Sequence, residues 1–169
     1  MKELFTQKQI QEVTQTLAHY ITEDHKGDKT PVVMVGVLNG CFMFYADLVR
    51  NLGINIECDF MRVKSYIGKR KQGDIRIIKD LEIPIKNKHI YIVDDIFDSG
   101  NTMKAVVDLL KVKKPASINV VTLLKRKSTP KLSNIPQFIG FEIDDEWVIG
   151  YGCDNDKGFC RNYPSIFAL

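Results

Sequence analysis

The sequence lacks the features that mark membrane and secreted proteins. No apolar run is long enough to cross a bilayer, and residues 1–6 lack the apolar core of a signal peptide. The four cysteines share no metal-ligand spacing, and the three histidines stand far apart in the chain. We therefore predict a cytoplasmic protein with reduced cysteines, with neither disulfides nor zinc, and with no membrane partner.

A strong charge of either sign is also missing. The chain has 24 basic and 21 acidic residues, a formal net charge of +3, which is too small to indicate nucleic acid as a partner but leaves room for a local basic patch. The 169 residues are 44% hydrophobic and contain no repeats or low-complexity tracts. This length and composition predict one domain, residues 1–169, with a substantial core.

Short apolar runs rich in β-branched residues alternate with helical patterns over the first three quarters of the chain. Strands are predicted at 31–38, 54–60, 75–78, 90–93 and 117–124. Helices are predicted at 10–21, at 42–52 and from residue 102 onward, and Thr6 with Gln9 forms a capping box before the first. This alternation predicts an α/β fold, a parallel sheet with right-handed crossovers and flanking helices.

The pattern changes beyond Lys125. Short strands are predicted at 138–143 and 147–149, whereas 151–169 is irregular and has no helical period. Such a tail is too short and too irregular to form a domain of its own. We predict that it folds over the sheet edge as a small hood, roughly residues 138–169, to which part of residues 1–22 is a candidate contributor.

Residues 90–102 combine a buried strand, a tight polar turn around Gly100 and the start of a helix. This geometry directs backbone N–H groups and a helix N-terminus at one point outside the sheet, which suits a phosphate. The turn is not a nucleotide P-loop, because no lysine follows the glycine. The alternative interpretation is an ordinary helix N-cap beside an acidic strand end.

Three acids accompany this turn: Asp94, Asp95 and Asp98. Carboxylates repel phosphate, so they should contact another part of the same ligand. Ionised acids accept hydrogen bonds from vicinal hydroxyls and bind hard divalent cations. The turn therefore predicts a ribose 5-phosphate that carries a metal-bound leaving group.

Residues 93–102 resemble the ribose-phosphate signature of the type I phosphoribosyltransferases, in which two acids precede a hydrophobic pair and D-[ST]-G-x-T. The rest of the chain is similar to the hypoxanthine-guanine branch of that family along nearly its whole length. The resemblance implies a purine-salvage transferase. It would move the 5-phosphoribosyl group from 5-phosphoribosyl 1-pyrophosphate to hypoxanthine or guanine, giving IMP or GMP and pyrophosphate, with Mg²⁺ as cofactor.

The resemblance also assigns roles to the central residues. Asp98 would be the catalytic general base that accepts the proton of the purine nitrogen. Asp94 and Asp95 would hold the ribose hydroxyls and metal, with Asp154 on a second ion. The segment that holds the 5′-phosphate would consist of Asp98, Ser99, Gly100, Asn101 and Thr102.

Leu38-Asn39-Gly40 resembles the pyrophosphate-binding loop of the family, which contains a non-proline cis peptide. Asn39 replaces the usual lysine, so a cationic contact is lost, but the backbone donors of Asn39 and Gly40 remain. We predict a cis Leu38–Asn39 peptide; the alternative is an ordinary strand-to-helix turn. Arg161 matches the arginine that contacts pyrophosphate, provided that one residue is inserted after Asp154.

Ser65 and Tyr66 match the start of the loop that closes over the active site in this family. A lid would keep water from the oxocarbenium-like transition state. Their surroundings, residues 64–73, are basic and glycine-rich. A solvated hairpin tip would have the same composition.

Four residues match the purine-binding part of the family. Ile96 and Trp147 would sandwich the base, and the backbone of Val148 would contact its edge. A lone tryptophan is otherwise a candidate core residue. A gapless match puts Arg126 where the family has a lysine on the 6-oxo group, although Lys125 and Lys127 stand beside it. A cation there favours a 6-oxopurine over adenine.

Other functions remain open at this stage. One is a transferase that prefers xanthine or guanine, since the sequence does not rank the three 6-oxopurines. Another is a regulator of the same fold that senses phosphoribosyl ligands and binds nucleic acid. We also expect a homo-oligomer, either a dimer or a tetramer.

Overall fold

The computed structural model describes residues 1–65, 75–129 and 135–169. The helices are α1 (Gln7–Asp24), α2 (Phe42–Asn51) and α3 (Asn101–Lys111). The strands are β1 (Lys2–Phe5), β2 (Val32–Val37), β3 (Glu57–Ser65), β4 (Ile75–Lys79), β5 (His89–Phe97), β6 (Ser117–Arg126), β7 (Phe138–Ile143), β8 (Val148–Ile149) and β9 (Ile166–Ala168). Over these residues, no helix is both long enough and apolar enough to cross a membrane.

The main sheet has six strands in the order β4-β3-β2-β5-β6-β7. Every neighbouring pair is parallel except β3 and β4, which are antiparallel. The predicted α/β fold is therefore confirmed, with one correction: the sheet is not wholly parallel. Only residues 66–74 connect β3 to β4, and a parallel crossover needs a dozen or more.

Helices cover both faces of this sheet. α1 and α2 pack on one face, where Ile10, Leu17 and Phe44 belong to one buried cluster. α3 packs on the other face through residues at helical spacing: Met103, Val106, Val107 and Leu110. Because both faces are covered, all six residues of β2 are buried, as is usual for a parallel strand.

The first helix begins as the sequence predicts. Thr6 Oγ1 accepts a hydrogen bond from the Gln9 backbone N–H at 3.3 Å, and Gln9 Oε1 accepts one from the Thr6 N–H at 2.9 Å. This reciprocal pair is the predicted capping box. It satisfies the backbone N–H groups of Thr6 and Gln9, which have no partner within the helix.

The hood is a separate three-stranded sheet in the order β1-β9-β8, with both pairs antiparallel. The predicted bounds of the hood need correction at the start, because β7 pairs with β6 as an edge strand of the main sheet. Residues 2–5 supply a strand that the sequence pattern did not predict as one. Phe5 of β1 stacks on Phe141 of β7 at a ring-centroid distance of 3.9 Å, which joins the hood to the main sheet.

Candidate active site

The end of β5 and the start of α3 form the predicted phosphate turn. The strand runs through Asp94 and Asp95 to Phe97, four residues further than predicted, because its pairing with β6 continues to Phe97 and Lys125. Gly100 then takes φ +75° as the N-cap of α3, a conformation that side chains disfavour. A cavity of about 230 Å³ opens here, lined by Val37, Val63, Asp94, Asp95, Ile96, Phe97, Asp98, Ser99, Gly100, Thr102 and Met103.

The N-terminus of α3 suits an anion. Its N-cap, Gly100, has no side chain to accept hydrogen bonds from the first-turn N–H groups, and no acidic residue lies in the first turn. Asn101 donates its backbone N–H to Ser99 Oγ at 3.4 Å, which is a long contact. Helix N-termini leave several N–H groups without intrahelical partners, and phosphate oxygens satisfy such groups.

The carboxylates of Asp94 and Asp95 lie together at the base of this cavity. Burial, and then the charge of Asp95, raises the pKa of Asp94 well above its usual range. Asp95 Oδ2 lies 3.5 Å from the Cys153 thiol sulfur. Among the residues that the structure describes, no basic side chain forms an ion pair with either acid. This uncompensated oxygen pair is suited to a hard divalent cation such as Mg²⁺.

The predicted pyrophosphate loop, residues 38–40, packs directly against Asp95. The Leu38–Asn39 peptide is cis, as the sequence predicts. A Cβ atom on Gly40 would lie 1.8 Å from Asp95 Oδ2, and one on Gly152 would lie 2.1 Å from the Gly40 carbonyl oxygen. Three segments that are distant in sequence therefore touch through glycine backbone.

Arg161 and Asp154 are paired with each other beside this loop. Arg161 Nη2 lies 2.6 Å from Asp154 Oδ2, and Nη1 donates to the Gly152 carbonyl at 2.6 Å. Gly152 in turn contacts Gly40. The predicted pyrophosphate arginine thus lies near the predicted loop, and a cation bound to Asp154 would share that carboxylate with Arg161.

All four predicted purine residues line a second cavity of about 160 Å³. Its lining residues are Asp95, Ile96, Asp98, Arg126, Trp147, Val148, Cys153 and Asp154. Trp147 is 57% exposed, so it is not a core residue. Its indole N–H donates to the Asp154 carbonyl at 3.4 Å, which places the ring at the mouth of the cavity.

Arg126 contacts both the turn that contains Asp98 and the loop between β7 and β8. Its Nε lies 2.9 Å from Asp98 Oδ1, and its Nη1 donates at 3.0 Å to the carbonyls of Asp144 and Glu146. Lys125 pairs with Glu142, and Lys127 pairs with Asp144, both outside the cavity. Of the three adjacent cations, Arg126 is the one that lines this cavity.

Two residues near the site carry no signal in the sequence. Cys153 lines the purine cavity, yet a lone cysteine predicts nothing. Thr129 Oγ1 donates to the carbonyl of Asp98, and so supports the turn from a loop 31 residues further along the chain. Side-chain contacts over such separations leave no local pattern.

The predicted lid lies at the edge of the described structure. Ser65 is the last residue of β3, where it pairs with Ile75 of β4. Tyr66 lies outside the described residues, so the lid stays a prediction.

Comparisons with known proteins agree on one family. The model of the phosphoribosyl transferase domain matches residues 2–156. The hypoxanthine-guanine phosphoribosyltransferase of Staphylococcus aureus strain Mu50 is 38% identical over 167 residues, which cover 98% of this chain and 92% of that protein. The hypoxanthine phosphoribosyltransferase of Escherichia coli strain K12 is 42% identical over 151 residues, covering 89% and 84%.

A solved structure extends this likeness to the fold. A crystal structure of a Staphylococcus aureus hypoxanthine phosphoribosyltransferase superimposes with a TM-score of 0.93 at 36% identity, covering all of this chain and 91% of that one. The chain therefore has an α/β fold and belongs to a family of transferases. The chain belongs to the phosphoribosyl transferase family. The family resemblance and the enzyme class predicted from the sequence are both confirmed.

Proposed function

We propose that this enzyme transfers the 5-phosphoribosyl group of 5-phosphoribosyl 1-pyrophosphate to hypoxanthine or guanine, giving IMP or GMP and pyrophosphate. One observation carries the proposal. The cavity at the phosphate turn and the cavity beside Trp147 share Asp95, Ile96 and Asp98. A sugar phosphate in the first cavity therefore presents its reacting carbon to a planar base in the second.

The reaction exchanges one bond for another at the sugar C1 carbon. A purine ring nitrogen forms the new bond to C1, the C1–oxygen bond breaks, and pyrophosphate leaves with the bonding electrons. The Asp98 carboxylate accepts the proton of the attacking nitrogen. Its side chain is 68% exposed and is held on one side by Arg126, so the opposite side is open to the base.

The carboxylates of Asp94, Asp95 and Asp154 are the residues that would hold Mg²⁺. When bound there, the metal neutralises charge that develops on the departing pyrophosphate. Asp94 and Asp95 would also hold the ribose hydroxyls, directly or through the metal. The backbone N–H groups of Asn39 and Gly40 and the guanidinium of Arg161 complete the pyrophosphate side.

Arg126 supplies the preference for an oxo group. Its guanidinium only donates hydrogen bonds, so it favours the 6-oxo oxygen of hypoxanthine or guanine over the amino group of adenine. Its contacts with Asp98 and with the carbonyls of Asp144 and Glu146 also hold the general base beside the loop between β7 and β8, before Trp147. A lysine, with one ammonium group, cannot make all of these contacts from separate nitrogens.

Release of pyrophosphate with each base in turn tests the proposal. Hypoxanthine and guanine are expected to support release in the presence of Mg²⁺, adenine is not, and chelation of the metal should stop the reaction. Xanthine as the best substrate would revise the specificity. Release with adenine at a similar rate, or with no base at all, would contradict the proposal.

Replacement of Trp147 by alanine tests the stacking role. We expect Trp147→Ala to weaken purine binding by about 1–3 kcal/mol, the range for a base on an aromatic ring, and to leave pyrophosphate affinity almost unchanged. Titration of each ligand separately measures both. Tyr20 is a comparably exposed aromatic residue on α1, 56% exposed, so Tyr20→Ala is the matched control. Equal losses for both ligands would make Trp147 a structural residue.

We also propose that the enzyme acts in the cytoplasm as a homo-oligomer, a dimer or a tetramer. All four cysteines are free thiols, which suits a reducing compartment. A related structure from Trypanosoma cruzi is described as linking the C-terminal region of that enzyme to its oligomeric state, and it shares 31% identity with this chain. Light scattering on the purified protein would give the oligomeric state.

A further inference from the structure

A second cluster of polar side chains lies at the other end of the main sheet from Asp94 and Asp95, where β5 begins. His25 is the C-cap of α1, Asp28 lies in the turn that follows, and His89 is the first residue of β5. One donor atom from each residue lies within 4.8 Å of the other two. Asp94 is five residues further along β5, so the cluster is roughly 17 Å along the strand from the acid pair.

Each member of this cluster is oriented by a second contact. His25 Nε2 lies 2.8 Å from the Tyr91 hydroxyl, and His89 Nδ1 lies 2.7 Å from Ser117 Oγ. Each ring therefore uses one nitrogen on a hydroxyl, and His89 turns its other nitrogen toward Asp28. Outer contacts of this kind orient metal-binding histidines in proteins.

The carboxylate of Asp28 is held in the same way. Its Oδ1 accepts the Thr30 backbone N–H at 2.8 Å, while Oδ2 lies 3.0 Å from His89 Nε2. A carboxylate oxygen and a ring nitrogen thus already face each other.

A buried nitrogen of His25 without a hydrogen-bond partner is a second indication of a ligand, independent of the distances within the cluster. Its side chain is 8% exposed, and its Nδ1 is buried without a hydrogen-bond partner in the part of the chain that the structure describes. A buried polar atom without a partner is costly. A metal ion bound to this nitrogen would satisfy it.

We propose that His25, Asp28 and His89 bind a divalent transition-metal ion of the zinc class. Two imidazole nitrogens and one carboxylate oxygen form a ligand set that zinc accepts, with water in the remaining tetrahedral position. Magnesium prefers oxygen ligands and is not expected here. A cavity of about 410 Å³ is lined by His25 and Asp28 and provides the path of entry.

Such an ion would join the end of α1 to the start of β5. His25 and Asp28 follow the helix, and His89 begins the strand that carries the acid pair at its other end. A bound metal stabilises the folded state by its binding free energy. The site would therefore stabilise the protein without taking part in the transfer reaction.

Zinc titration of the purified enzyme tests this proposal. The titration uses a Cys58→Ser background, because Cys58 is an exposed thiol, and excess Mg²⁺ to occupy the acid pair. We expect one equivalent of Zn²⁺ to bind, to raise the melting temperature and to shift two of the three histidine side-chain ¹⁵N signals. Asp28→Asn and His89→Gln should each weaken binding more than about 100-fold, since loss of an outer contact alone costs about 10–100-fold.

His19 provides the matched control, because it is an exposed histidine on the surface of α1. His19→Gln should bind zinc as tightly as the parent protein. Failure of the parent to bind zinc would overturn the proposal. So would equal binding by Asp28→Asn and His89→Gln, or a loss of binding in His19→Gln. All of these readouts are independent of purine transfer, so the two proposals can fail separately.

Discussion

Replacement of Asp98 by asparagine is expected to lower kcat by about 10²–10⁴-fold, the usual contribution of general-base catalysis. The side chain keeps its shape, and the amide oxygen can still lie against Arg126 Nε, which forms an ion pair with Asp98 Oδ1 at 2.9 Å. Binding of 5-phosphoribosyl 1-pyrophosphate should therefore persist. Steady-state kinetics with hypoxanthine and guanine, together with a binding titration, separate the two effects.

Asp108 provides the control for this substitution. It is an exposed acid on α3 that pairs with Lys104, so Asp108→Asn removes a nearby negative charge without reaching either cavity. Turnover close to that of the unmodified enzyme is expected for Asp108→Asn. Near-native turnover by Asp98→Asn would remove Asp98 from the role of base.

Gly40→Ala is expected to reduce kcat/KM for 5-phosphoribosyl 1-pyrophosphate by about 10²-fold, which is the cost of misplacing a reacting group by about 1 Å. The added Cβ would lie 1.8 Å from Asp95 Oδ2. Either the pyrophosphate loop or the carboxylate must move, and both belong to the proposed site. Kinetics at varied concentrations of this substrate, with guanine saturating, measure the effect.

Gly27→Ala distinguishes a local clash from a general loss of stability. Gly27 has φ +83°, so alanine is strained there, but no atom lies within 4 Å of the added Cβ. We expect Gly27→Ala to lower the melting temperature while kcat/KM stays near its original value. If Gly40→Ala retains full activity at a lowered melting temperature, Gly40 is a packing residue only.

Much of the fold follows from local patterns. The capping box at Thr6 and Gln9 predicts the start of α1, and β7 has the predicted bounds, residues 138–143. The strands β1 and β9 were missed because they pair with each other from opposite ends of the chain, and that pairing leaves no local pattern. The direction of β4 was also missed, because strand direction depends on the connection.

The candidate site also has one part that the local sequence predicts and other parts that only the folded structure brings together. The turn from Asp94 to Thr102 is contiguous, so its strand, its glycine and its helix start can be read in one stretch of sequence. The contact of Gly40 with Asp95 joins residues 55 positions apart and has no local signature. Likewise, three cations stand together in the sequence, and only contacts with Asp98, Asp144 and Glu146 bring Arg126 into the cavity.

The histidines show most clearly what the sequence predicts and what only the tertiary structure reveals. By itself, the sequence predicts all three helices, most of the strands and a phosphate-binding turn, because these features depend on neighbouring residues. It predicts no transition-metal site, since His25 and His89 stand 64 positions apart. The tertiary structure brings the two histidines together, because the first residue of β5 lies beside the C-terminal end of α1. Contacts between distant segments depend on how whole elements pack, and that packing is settled only when the chain has folded.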